Sequence, residues 1–269
     1  MIIIAEKLNG SIPACGKAIA ARDEAYIKRI ARQQANAGSS FIDVCASVNE
    51  GELETLKWMI DLVQSVTDLP ISVDSPDVNV IINALDYCNR PGLFNSVSGE
   101  GGKFDIAFPV LAKPEYSQWQ VMALLCDDTG IPKTAAKRIE IFETVMEKAK
   151  SYGIDESRIH IDPLIEMLCT TDEGEGISML IEVMTYIKTN YPTVYISGAI
   201  SNISFNLPVR RLVNQAFAAL AISAGMNSGV LDPLSKDLRG VILAAEAMMG
   251  LDDYCSEYTT AFREGIFTA

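Results

Sequence analysis

Hydrophobic positions along the chain follow two periods in turn. Apolar, β-branched-rich runs at 2–5, 41–45, 71–74, 93–96, 121–126, 159–162, 194–197 and 229–231 read as strands. They are short and nearly continuous in Val, Ile, Leu and Phe, the pattern of strands covered on both faces. Between them lie segments with apolar spacing near 3.6. The clearest covers 134–152, where Ala135, Ile139, Phe142, Met146 and Ala149 form one stripe and Gly153 supplies the stop. Two further helices are predicted over 208–224 and 235–249. Strands return every ~20–40 residues, the length of a βα unit, and eight units fill 1–269 without a low-complexity linker. The fold predicted is α/β, a single-domain (β/α)8 TIM barrel over 1–269. An open doubly wound sheet is the alternative, but the first strand is not followed by a G-x-G-x-x-G turn.

In a barrel the chemistry gathers at the C-terminal mouth, so the residue that closes each strand matters most. Those residues are Glu6, Asp43, Asp74, Asn95, Asp127, Asp162, Asn202 and Asp232. Turns and helix N-caps favour Asp and Asn for their own reasons, which accounts for part of this pattern. The ring is nevertheless acidic and amide-rich, with few Lys or Arg. It suits a neutral heterocycle rich in N–H donors better than a phosphorylated sugar, because buried carboxylates are costly unless hydrogen-bonded. A divalent cation is the rival explanation, but no two of these acids fall in a recognisable metal spacing.

Composition narrows the classes. Apolar residues make up 49% and charged residues 21%, the balance of a folded globular chain. Lys+Arg 22 against Asp+Glu 35 gives a net charge of −13, which repels nucleic acid and anionic membranes. The longest greasy stretch, 216–226, is too short to span a bilayer, and Glu6 and Lys7 interrupt the apolar start, so a cytoplasmic protein is expected. Cysteines 15, 45, 88, 126, 169 and 255 contain no C-x-x-C pair. They read as reduced thiols, and Cys45, Cys126 and Cys169 as small buried hydrophobes rather than zinc ligands. The run Ser98-Gly-Glu-Gly-Gly-Lys103 fails the phosphate-loop pattern and reads as a loop or helix entry. The single histidine, His160, is expected to alternate away from the mouth toward the barrel wall or a helix. Acid–base work therefore falls to carboxylates, amides or the substrate itself.

Six segments carry a resemblance. Ala5-Glu6-Lys7-Leu8-Asn9-Gly10, Phe41-Ile42-Asp43-Val44, Val73-Asp74-Ser75, Phe94-Asn95-Ser96, Ile161-Asp162-Pro163-Leu164 and Ser201-Asn202-Ile203-Ser204 resemble, in order, the pterin-binding methyltransferases. The narrower likeness is to methyltetrahydrofolate:corrinoid protein methyltransferases. It implies a barrel that binds tetrahydrofolate or 5-methyltetrahydrofolate at its mouth and works on cobalamin carried by a partner corrinoid protein. By position, Asp74, Asn95 and Asp162 match residues that hydrogen-bond the pterin ring, and Asn202 matches the residue that approaches N5. Arg210 matches an arginine placed to meet the aminobenzoyl-glutamate tail. Ser201, Glu6, Asn9 and Asp43 match further motif positions of the folate site. A homodimer is implied too. Two positions depart from the pattern: Cys45 stands where an Asn is common, and Phe205 where some members have Gln.

The implied reaction sets a requirement. A tertiary amine is a poor leaving group, so methyl transfer from N5 to cobalt needs a proton or strong hydrogen bond at that nitrogen. An Asn202 amide could strengthen such a bond as charge develops. A dihydropteroate synthase-like enzyme is the alternative within the fold, although the chain lacks the Arg-x-His ending usual there. A non-catalytic pterin-binding subunit is the alternative outside catalysis.

Overall fold

A computed structural model describes residues 1–47, 51–171 and 176–268. Eight parallel strands run in chain order: β1 (Ile2–Asn9), β2 (Phe41–Cys45), β3 (Ile71–Asp74), β4 (Leu93–Val97), β5 (Gln120–Leu124), β6 (Ile159–Asp162), β7 (Tyr195–Ile196) and β8 (Ser228–Leu231). Each pairs with its neighbours in sequence, and β1 also pairs with β8. The remaining seam is closed more sparsely. Val230 N donates to Gly198 O at 3.0 Å, and the Asn227 side chain accepts from Ile196 N at 2.8 Å. The result is the predicted (β/α)8 barrel. The helices are α1 (Pro13–Ala20), α2 (Glu24–Asn36), α3 (Glu52–Gln64), α4 (Val78–Leu85), α5 (Lys103–Leu111), α6 (Ala135–Ser151), α7 (Ser178–Asn190), α8 (Arg210–Ser223), α9 (Lys236–Met248) and α10 (Ser256–Arg263).

Strand alternation builds two separate cores. Outward residues such as Ile42, Val44, Val73, Phe94, Val121, Ile159 and Ile161 are fully or almost fully buried under the helices. Inward residues Ile4, Phe41, Leu93 and Met122 form a smaller cluster that plugs the barrel. Both faces are buried, which is why these strands read as nearly continuous apolar runs. The largest differences from the expected strand lengths are at β1 and β7. β1 runs on to Asn9 through a bulge between Ala5 and Leu8, which re-aims the residues around Glu6. β7 keeps only two residues, because Gly198 leaves the strand at φ +149.

His160 departs from the sequence reading. Residues two apart on a strand share a face, so His160 points into the barrel one layer below Asp162, not toward the wall or a helix. There it is fully buried, stacked on Tyr195, with Nε2 2.6 Å from Gln120 Oε1 and Nδ1 3.0 Å from Ser228 Oγ. Burial pushes its pKa down to about 3, so it is an uncharged structural residue below the mouth. The 98–103 run is a helix entry, with a 3-10 turn at Glu100–Gly102 leading into α5.

Candidate active site

The C-terminal mouth holds a cavity of about 510 Å³. Its floor is Met122 and Val230, and its walls carry Glu6, Asn9, Asp43, Asp74, Asn95, Asp162, Ser201, Asn202 and Arg210. Every residue the sequence nominated for the folate site is thus in one place. Asp127 from the strand-end ring is not among those walls; it caps its own turn, accepting from Thr129 N at 2.9 Å. Asp232 borders a second, smaller cavity beside the first.

The acids in the main cavity are held in different ways. Asp43, 2% exposed, accepts Ser72 Oγ at 2.5 Å and Asn95 Nδ2 at 3.1 Å. Burial, with Asp74 close by, still pushes its carboxyl well above the usual range. Asp74 is raised to about 6, chiefly by burial, with the Cys45 thiol hydrogen-bonded to it and opposing the rise. Cys45 therefore fills the Asn position with a weaker donor, and its own thiol is pushed up by burial and by Asp74. Asp162 also rises to about 6 by burial, opposed by the Leu164 amide, which donates to Oδ1 at 2.7 Å, and by Arg138.

The β6–α7 loop places Asp162, and its support was not legible as function. Arg138 on α6 is fully buried, donating from Nε to Pro132 O at 3.2 Å and from Nη1 to Leu164 O at 2.7 Å. Nη1 also donates to Pro163 O, and Nη2 meets Glu166 at 2.7 Å. The predicted α6 stripe omitted Arg138, since nothing in a helical pattern distinguishes a buried arginine from a solvated one. Beside Asp162, at the end of the neighbouring strand β7, Gly198 leaves room for the same carboxylate. A Cβ there would lie 3.2 Å from Asp162 Oδ1 and 2.7 Å from Ile165 Cδ1.

Asn202 sits on a 3-10 turn, Ile200–Ser204, that follows β7. Among the described residues its side-chain amide has no hydrogen-bond partner, although it borders the cavity. Arg210 is anchored by Ser201 O at 2.8 Å and Ser204 Oγ at 3.0 Å, and it covers the Phe205 ring at 4.4 Å. Phe205 is 43% exposed at the rim, so in place of an amide this chain presents an aromatic face. Asn9 is turned inward by an Asx turn, its Oδ1 accepting from Ser11 N at 2.9 Å.

This wall chemistry is that of a site for a flat, donor-rich heterocycle, and the family comparison agrees. The model of the pterin binding enzymes matches residues 15–232. The chain belongs to the pterin binding enzyme family. Among its members, a methylcorrinoid:tetrahydrofolate methyltransferase of Eubacterium limosum is 44% identical over 98% of this chain and 97% of its own. Methionine synthase of Mycobacterium tuberculosis is 28% identical over 86% of this chain, which spans only 20% of that protein. Among solved structures, dihydropteroate synthases share the fold. The Yersinia pestis enzyme superposes with TM-score 0.67 at 14% identity, covering 93% of this chain and 94% of that one. The Xanthomonas albilineans enzyme gives 0.68 at 18%, covering 93% and 92%. Among the described residues lining the cavity, Arg210 alone is basic. No helix among the described residues is long and apolar enough to cross a membrane.

Proposed function

We propose that this protein transfers a methyl group from a methylcorrinoid to N5 of tetrahydrofolate, and that the transfer is reversible. The observation that carries this reading is end-to-end similarity, 44% over 98% of the chain, to an enzyme of that name. The site chemistry supports it. A pterin edge presents ring N–H and amino donors, and Asp74 and Asp162 are buried acceptors with capacity to spare. Asn95, held by Asp43 and Ser72, offers its amide oxygen to the same ring. Met122 and Val230 supply the apolar floor under the ring. Ser201, Asn9 and Glu6 border the ring's reacting side, and Arg210 with Phe205 meets the aminobenzoyl-glutamate tail at the rim.

In the transfer, the N5 lone pair forms the new bond to the methyl carbon, and the carbon–cobalt pair stays on cobalt. Asn202 orients N5 by a hydrogen bond that strengthens as charge builds there, stabilising the transition state without titrating. The corrinoid is a substrate delivered by a separate corrinoid-binding protein. The working form is a cytoplasmic homodimer, and exposed Leu212, Leu220, Leu251 and Phe262 toward the C-terminal end offer apolar area for it. A dihydropteroate synthase reaction is not favoured: a diphosphate leaving group calls for more positive charge than Arg210 supplies.

The test is anaerobic mixing of the protein with tetrahydrofolate and methylcobalamin, following loss of the methylcobalamin spectrum and formation of cob(I)alamin. Transfer is expected in this direction and, with methyltetrahydrofolate and cob(I)alamin, in reverse. A protein that binds no folate and moves no methyl group contradicts the reading.

A further inference from the structure

Glu6 is the one carboxyl group, among the described residues, that borders both cavities at the mouth. Asp43, Asp74 and Asp162 border the main cavity and not the smaller one. Glu6 makes one long hydrogen bond, Ser201 Oγ to Oε2 at 3.3 Å, and Ser201 is the chain neighbour of Asn202. Behind Glu6 lies the second cavity, about 260 Å³, lined also by Ser201, Arg210, Asn214, Asp232 and Ser235. That is room for several waters, and its wall holds polar partners for them, among them the Asn214 Oδ1, which is buried without a protein partner. At its edge Asp232 meets Lys7 Nζ at 2.7 Å, with side chains 26% and 37% exposed. A polar path therefore leads from the folate cavity, past Glu6, to a surface ion pair.

The charges around Glu6 come from every side. Asp232 faces it from the end of β8, Asp43 from β2, Arg210 from the start of α8, and Lys7 from its own strand. Burial and Asp232 outweigh Ser201, Lys7 and Arg210, and its carboxyl is raised to about 7. A carboxyl in that range both gains and loses a proton at neutral pH, the property needed of a general base that must be regenerated each turnover.

We propose that Glu6 accepts the proton released from N5 of tetrahydrofolate during methyl transfer, and that the smaller cavity passes this proton to solvent by way of Asp232. The step rests on the methyltransferase reading above, and it balances. The N5 lone pair makes the N–CH3 bond, and the carbon–cobalt bond breaks with both electrons on cobalt, taking it from Co(III) to Co(I). The N5–H proton goes to the Glu6 carboxylate, and the resulting acid gives it up to water. In reverse, protonated Glu6 returns the proton to the departing amine.

Single-turnover methyl transfer from methylcobalamin to tetrahydrofolate, followed across about pH 5.5–8.5, tests this, with folate affinity titrated separately by protein fluorescence. In the wild type the rate rises with pH through about 7. Glu6→Gln slows transfer by about 100-fold or more and flattens that limb, with folate affinity within about threefold. Glu6→Ala recovers rate with added formate or acetate. Asp232→Asn moves the limb to lower pH, because it removes the charge that raises Glu6. A Glu6→Gln protein with the wild-type limb, or one whose rate loss is matched by lost folate affinity without rescue, overturns the role of Glu6. An unmoved limb in Asp232→Asn overturns the exit route. A wild type that transfers methyl at a pH-independent rate defeats this inference alone, whereas one that neither binds folate nor transfers defeats the methyltransferase reading beneath it.

Discussion

The buried guanidinium of Arg138 donates to the carbonyl of Leu164 at 2.7 Å, and the amide of that same Leu164 donates to Asp162 Oδ1 at 2.7 Å. One residue, held at φ +65, links a helix on the outside of the barrel to a carboxylate at its mouth. A left-handed non-glycine backbone persists only where its surroundings over-determine it, and here Arg138 supplies that constraint.

Arg138→Met should therefore act in two places. Removing the guanidinium leaves the Pro132, Pro163 and Leu164 carbonyls without their donor, while Glu166 keeps Lys133 at 2.8 Å, a loss of about 3 kcal/mol in urea unfolding. In protein that remains folded, folate affinity should drop by about tenfold, since Asp162 loses its support. Equal affinity in the folded fraction would show that Leu164 holds its conformation unaided.

Gly198→Ala tests the other side of Asp162. The added methyl lies 2.7 Å from Ile165 Cδ1 at a backbone angle of φ +149 that alanine disfavours. We expect about 1–3 kcal/mol of destabilisation and weaker folate binding, because Ile165 must move and Asp162 Oδ1 is the next atom in the way. A melting curve and a folate titration on the same sample separate the two effects.

Asn202→Ala should spare binding and damage turnover. A lost transition-state donor typically lowers rate by ~10²–10³. Steady-state kinetics should show kcat falling with KM for folate little changed. A fall in kcat/KM carried by KM alone would assign Asn202 to ground-state binding.

Asp162→Asn should change how stability depends on pH. The folded-state pKa of Asp162 is raised to about 6 by burial, so the folded chain holds this proton more tightly than the unfolded chain. Its contribution to stability is fully present below about pH 4 and is lost as pH rises through about 6. In the folate-free protein, Asp162→Asn should gain on the wild type across that window, by at most about 3 kcal/mol at neutral pH. Folate affinity should fall in the same variant, because an amide replaces an acceptor-only carboxylate. Parallel pH dependences for the two proteins would contradict the assignment.

Strand periodicity and the residues closing each strand were enough to establish the barrel and to nominate its mouth. Alternation is a local rule, and a strand covered on both faces announces itself as an apolar run. The nine nominated site residues, from Glu6 to Arg210, all reach one cavity because parallel strands deliver their ends to one side. Tertiary structure alone decided the rest. His160 and Asp162 lie on one face, but which layer each occupies depends on the stagger of β5, β6 and β8. The burial of Arg138, the space left by Gly198 and the double exposure of Glu6 depend on contacts between segments far apart in the chain. Charge and hydrogen bonding are settled by distances across the barrel, and a linear pattern does not encode those distances.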